Sequence, residues 1–229
     1  MAIVAGLIYL TFLAVLSYAI LFLGNLGAPR SIDIGPAAAA HEAWLIDTAL
    51  VTLLALLHGA LGRLRWPAAR AGMARGIHAL IASVALAALF IGWRPLAGSV
   101  WALGDWEALS MQALFYVGWT LVLISVLFIH GELLGESPRA HGSPRPLEPL
   151  YPGLALALWA TPSMTVGHLL LALLASVYLL LSAVLEARRS HLLIGRSARI
   201  VEGQEIDHEH PSTQQRAGPC RPRLARLPP

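Results

Sequence analysis

Apolar residues in this chain come in long blocks with no two-residue alternation. The blocks 3–23, 44–62, 77–93 and 109–130 hold one Asp, Glu or Arg between them, Asp47. Each is long enough to cross roughly 30 Å of hydrocarbon as a helix rising about 1.5 Å per residue. A last block, Pro149 to Arg189, stays apolar until Glu186, Arg188 and Arg189. As one helix, Gly153 to Leu185 would be about 50 Å long, well beyond the hydrocarbon. Pro162 sits inside it between Thr161 and Ser163, and proline interrupts a helix by removing a donor and crowding the preceding turn. The pattern predicts a helical hairpin, with a short arm Gly153–Ala160 and a long arm Met164–Glu186. The expected fold is all-α: a polytopic transmembrane bundle of four spans followed by that hairpin. It occupies residues 1–190, and a polar, disordered tail fills 191–229.

Loop charges orient the spans. Loop 63–76 carries Arg63, Arg65, Arg70 and Arg75 with no acid, whereas 24–43 holds Arg30, Asp33 and Glu42, and 94–108 holds Arg94, Asp105 and Glu107. Basic residues collect on the cytoplasmic side. Loop 63–76 is therefore expected inside, its neighbours outside, and both termini in the cytoplasm. The N-terminal run has no basic flank and exceeds a signal-peptide core, so it reads as a first span that stays in place. Trp44, Trp93 and Trp101 fall near the outer boundaries, where indoles anchor in the headgroup zone.

Within the spans, polar side chains are few. Tyr178, Ser182 and Glu186 recur every four residues, along one face of the long arm. Exposing a carboxylate to hydrocarbon is costly, so this stripe is expected to face protein or a cavity, or to end in an interfacial Glu with its head in water. Asp47 and His58 share a face of the second span but lie about 16 Å apart along the axis. His58, towards the cytoplasmic half, lines a cavity or hydrogen-bonds a neighbouring helix. Residues His130 and Glu132 mark the inner end of the fourth span. His168, one turn after Thr165, is expected to bond Thr165 or a helix-end carbonyl. Two histidines at one depth could hold a b-type heme; His58 and His168 are predicted at opposite depths, so heme is not expected.

Composition narrows the class further. The chain is 57% apolar and 13% charged, half the charge of a soluble domain, which places it in a lipid bilayer. The lone Cys220 offers neither a disulfide framework nor a thiolate cluster. All sixteen basic residues are Arg, and the net charge of +3 comes largely from the tail; no nucleic-acid partner is expected. That tail has five prolines after Ile200 and no periodicity, the signature of disorder. Its His208 and His210 lack the preorganised shell a metal needs, so no metal is expected. Phosphate-binding glycine loops, a G-x-S-x-G elbow and H-E-x-x-H are absent. From the residues alone, no catalytic residue is assigned. The chain reads as a helical membrane protein with a polar pocket on its cytoplasmic side, lined by His58, Tyr178 and Ser182.

Several stretches go further. ILFLGNLGAPRSIDIG at 20–35 and LWATPSMTVGHLL at 158–170 resemble the methanethiol S-methyltransferases, integral-membrane enzymes related to isoprenylcysteine carboxyl methyltransferases. HEAWLIDTAL at 41–50, His58, WRPLAGSVW at 93–101, residues 125–135 and LLSAVLEAR at 180–188 add to it in order. The resemblance implies transfer of a methyl group from S-adenosylmethionine to methanethiol, giving dimethyl sulfide. It also implies cofactor binding by an R-H-P-x-Y-x-G segment and a later acidic segment, here matched by Pro149, Tyr151, Gly153, Glu186 and Arg188. Leu147 and Glu148 stand where that pattern has Arg and His, and Ala187 replaces its second Glu. Two lost charge-assisted bonds, about 1.5–3 kcal/mol each, imply a weakened cofactor site. A different class remains compatible with the residues: a non-catalytic membrane protein on the same scaffold, such as an accessory of nitrogen-oxide metabolism or a small-molecule conduit.

Overall fold

The computed structural model describes residues 2–64, 71–131 and 149–208. Six helices follow one another: α1 Ala2–Leu23, α2 Ala40–Arg63, α3 Ala71–Gly92, α4 Asp105–Gly131, α5 Leu150–Trp159 and α6 Val166–His208. Four of these, over Ile3–Leu23, Ala40–Gly62, Asp105–Leu127 and Val166–Leu185, are long and apolar enough to cross a membrane; Gly76–Gly92 and Leu150–Trp159 are shorter apolar helices. The all-α, four-spans-plus-hairpin architecture read from the sequence is the one observed. At ten residues, α5 is about 15 Å long and covers half the hydrocarbon.

The chain divides into two compact units, Met1–Ser182 and Ala183–Pro229. In the first, α2 packs on α3, α1 on α3, and α4 on α5. The interior joins Phe22, Leu89, Phe90, Trp93, Phe115, Trp119, Val122, Ala157 and Ala172. Large apolar side chains such as Ile3, Leu45, Leu109 and Leu180 point outward, each more than two-thirds exposed. A surface this apolar around the bundle suits lipid and would be an association hazard in water. In the second unit the described residues form the rest of α6, which runs helically through 191–208, where composition predicts disorder. Between Glu186 and His208 there is no proline, and Leu, Ile, Arg, Ala and Glu predominate; a helix already nucleated propagates readily through such residues. Residues 209–229, with His210 and Cys220, lie outside the described part.

The connections 24–39, 93–104 and 160–165 gather at one end of the bundle. α1 stops by a left-handed residue, Asn25 (φ 52°), with Leu26 N–H donating to Leu21 C=O. This is a helix end of the kind Asn tolerates. The break at Pro162 occurs as expected, but it carries an element the periodicity does not reveal. Ser163–Thr165 (β2) pairs antiparallel with Ser99–Ala102 (β1). The Leu103 amide adds a bond to the Pro162 carbonyl at 2.8 Å. Thr165 Oγ1 donates to Asp33 at 2.6 Å, and Asn25 donates to the other oxygen of the same carboxylate at 2.6 Å.

Trp93 corrects an expectation. It is not a headgroup anchor but is 1% exposed, with its indole N–H donating to the Ile32 carbonyl at 3.0 Å. The neighbouring Arg94 amide donates to Asp47 at 2.9 Å, which draws the end of α3 inward against α2. Trp101 likewise ties its indole N–H to Thr161 C=O at 3.2 Å, while Trp44 is exposed as an anchor should be.

Candidate functional site

Three helices bring polar rings together on one side of the bundle, where His58 is exposed and Tyr178 and His78 are half-buried. His58 on α2 shares a hydrogen bond of 2.7 Å between its Nδ1 and the Tyr178 hydroxyl on α6. His78 on α3 stacks edge-on against His58, ring centres 4.8 Å apart and planes at 62°. A Cβ placed on Gly59 would lie 3.8 Å from the Tyr178 ring, and one on Gly62 would lie 3.8 Å from the His78 ring. At these ordinary contact distances a methyl would fit at either position, so the rings pack against this turn of α2 without needing its glycines. The Nε2 atom of His78 is buried without a protein partner. Imidazole can donate or accept at either nitrogen, so the cluster offers both functions.

Two of the three residues expected to line a substrate pocket are thus in direct contact, His58 and Tyr178. The third, Ser182, is half-buried one turn further along α6. His78 was not among them. It opens the third span some twenty residues after His58 closes the second, and matching the depths of the two across antiparallel helices is the signal that points to it.

The expected cofactor residues fall into two groups. Pro149 precedes α5 and is half-buried, as is Tyr151 in the first turn. α5 begins with no side-chain cap, and the amino end of a helix favours an anionic group. Gly153 is buried and turned to α4, where a Cβ would stand 2.9 Å from the Gly118 carbonyl oxygen and 2.9 Å from Leu121 Cβ. Its evident task is close helix packing. Glu186 and Arg188 belong to the second unit; Arg188 is exposed, and the Glu186 side chain lies outside the described residues. For a donor bearing a carboxylate and an aromatic base, an uncapped helix start beside a half-buried tyrosine is a chemically suitable pair, and Gly153 adds no cradle to it.

Asp47 and His168 tie backbone at the ends of helices. Asp47 is fully buried with one oxygen on the Arg94 amide. His168, also fully buried, contacts the Leu158 carbonyl near the end of α5 through Nε2 at 2.9 Å, and its backbone amide donates to Thr165 Oγ1 at 3.3 Å. The helix-end carbonyl and the Thr165 contact are the partners expected for it. Among the described residues no group of three or more His, Cys, Asp or Glu could hold a metal. An open apolar groove lined by Trp44, Leu45, Thr48, Thr52, Leu53 and Leu56 belongs to α2 alone, a surface suited to acyl chains.

Comparison with known proteins places this chain in a family. The chain is 37% identical over 208 residues to the methanethiol S-methyltransferase of Pseudomonas sp. strain GM41, covering 79% of this chain and 78% of that protein. It is 34% identical over 200 residues to the one from Pseudomonas deceptionensis, covering 77% and 76%. Against the one from Mycobacterium tuberculosis it is 33% identical over 203 residues, covering 79% and 83%. No family model and no solved structure matches the chain. Identity of this level over more than three-quarters of both partners means that the chain, a helical bundle with four helices long and apolar enough to cross a membrane, belongs to the methanethiol S-methyltransferase family.

Proposed function

We propose that the protein methylates methanethiol to dimethyl sulfide with S-adenosylmethionine as donor, and that the acceptor thiol binds beside His58 and Tyr178. The observation that carries this is the 2.7 Å contact between those two residues, made across α2 and α6 in a chain whose relatives bear that enzyme's name. A small apolar thiol can reach the exposed His58 ring through hydrocarbon, and the paired rings offer it polar chemistry at that one place. When bound, the donor supplies an already activated methyl group on a sulfonium. The protein's share is to align the acceptor sulfur, promote its ionisation and keep water out. Pro149, Tyr151 and the start of α5 suit the donor's carboxylate and base. Glu186 and Arg188 are assigned to the same cofactor by the family resemblance. The arginines of 63–76 support cytoplasmic termini, with donor and thiol met from that side, and a catalytic domain of 1–190 with 191–229 as an appendage.

Cells expressing the gene and supplied with methanethiol are expected to release dimethyl sulfide into the headspace above an empty-vector control; equality with the control rejects the assignment. Leu147 and Glu148 support reduced donor affinity relative to family members. The double substitution L147R/E148H is expected to tighten S-adenosylmethionine binding by about 10²- to 10⁴-fold, as two charge-assisted bonds of about 1.5–3 kcal/mol each imply, with calorimetry as the check. No change would show that the site does without that pair.

A further inference from the structure

We infer that His58 is the base that takes the proton from the acceptor thiol, with Tyr178 and His78 as the residues that position it. This deepens the acceptor site proposed above and rests on it. A thiol attacks as its thiolate, and a simple alkyl thiol, with nothing to withdraw charge from sulfur, is sparsely ionised at neutral pH. His58 is an exposed residue of an apolar span long enough to cross a membrane; in hydrocarbon, water is a poor recipient for the proton, so a protein group receives it. The buried alternatives, Asp47 on the Arg94 amide and His168 on Leu158, each keep one partnerless atom. But Asp47 lies about three turns from His58 along α2, and His168 lies near the start of α6, about three turns before Tyr178.

His58 is differently placed. Its Nδ1 meets the Tyr178 hydroxyl at 2.7 Å. In the tautomer in which Nδ1–H donates to the phenol oxygen, Nε2 carries the free lone pair. A base held in one tautomer by a third group is the recurrent arrangement for activating a nucleophile. The His78 ring, 4.8 Å away, closes one side of His58, and its own buried, partnerless Nε2 leaves a polar position next to the reacting sulfur. Among the described residues, the titratable groups facing His58 are His78 from α3 and Tyr178 from α6.

The step balances as follows. The S–H bond breaks and its proton passes to His58 Nε2, while the electron pair stays on sulfur. That pair forms the new C–S bond to the methyl group, whose former bond to the sulfonium breaks with its electrons going to the departing thioether. After the products leave, the imidazolium gives its proton to water. One thiol and one sulfonium become two thioethers and one released proton.

The experiment uses the full-length protein in detergent. His58→Gln keeps an amide near Tyr178 but removes the base. With methanethiol at neutral pH it is expected to lower kcat/KM by about 10²- to 10⁴-fold, the usual share of a general base. The loss should shrink as pH rises, and shrink again with thiophenol, a far more acidic thiol that needs no base. Binding of S-adenosylmethionine by calorimetry should match the unsubstituted protein, which also reports that the variant is folded. Tyr178→Phe, which keeps the ring and loses the orienting oxygen, is expected to show a smaller loss with the same dependence on thiol acidity, and serves if His58→Gln does not fold. Equal losses with both thiols at every pH would overturn the inference and leave the acceptor site standing. Failure of the unsubstituted protein to methylate either thiol would instead remove the proposed function beneath it.

Discussion

Gly118→Val is expected to destabilise the purified protein by about 3 kcal/mol or more, at or above the top of the usual range for overpacking. A Cβ on Gly118 would stand 2.7 Å from the Ala157 nitrogen and 2.8 Å from the Gly153 carbonyl oxygen. Both are backbone atoms of α5 and cannot rotate away as a side chain can. The opposing Gly153 is equally confined, so the two glycines let α4 and α5 touch at backbone distance, a contact that small residues make possible between membrane helices. α5 has only ten residues, and α4 is the helix it packs on. Separating it from α4 also displaces Tyr151 and the Leu158 carbonyl that receives His168. For a chain of this length the loss corresponds to a fall of roughly 6–12 °C in thermal midpoint, to be read in detergent. Gly59→Ala, whose new methyl would meet Tyr178 at the ordinary distance of 3.8 Å, should leave the midpoint nearly unchanged. A Gly118→Val midpoint as high as that of Gly59→Ala would disprove the packing role.

Asp47→Ala is expected to be the other severe loss. Asp47 is 0% exposed and its Oδ1 receives the Arg94 amide. Truncation strands that N–H group, at about 1–3 kcal/mol for an unsatisfied buried donor, and opens a cavity whose cost adds to it. The turn released is the one that seats Trp93 against Phe22, whose rings meet edge-on with centres 6.1 Å apart. Asp47→Asn should behave differently. Its amide oxygen can still receive the Arg94 amide, and the second carboxylate oxygen has no protein partner to lose. Thermal midpoints should place Asn near the unsubstituted protein and Ala well below it. Equal destabilisation by both would show that the negative charge, not the acceptor atom, is what the position requires.

Much of this architecture is legible from residue order because lipid imposes long apolar runs. Each span appears within a few residues of its observed helix, and Pro162 marks the hairpin break between Trp159 and Val166. What stays hidden depends on distant partners. The β1–β2 pair joins residues some sixty positions apart through strands of four and three residues, too short for alternation to register. Trp93 reads as an interfacial anchor because its position along the span suits one; only the Ile32 carbonyl across the bundle makes it core. Gly153 matches a cofactor motif in sequence, yet its tight neighbour is Gly118, 35 residues earlier. At the site, the polar stripe on α6 announced that Tyr178 should face protein, and His58 was visible as a polar residue in its span. Their contact depends on how α6 passes α2. His78 escaped notice because one histidine near a span's first turn reads as interfacial until its depth is set beside that of His58.

The most direct measurement supplies purified protein with unlabelled methanethiol and S-adenosylmethionine carrying a trideuterated methyl group, then weighs the dimethyl sulfide formed. A product three mass units heavier than the unlabelled compound is expected, with labelled methyl appearing in step with loss of donor. Absence of product, or dimethyl sulfide without the label, would contradict methyl transfer from that donor at this site.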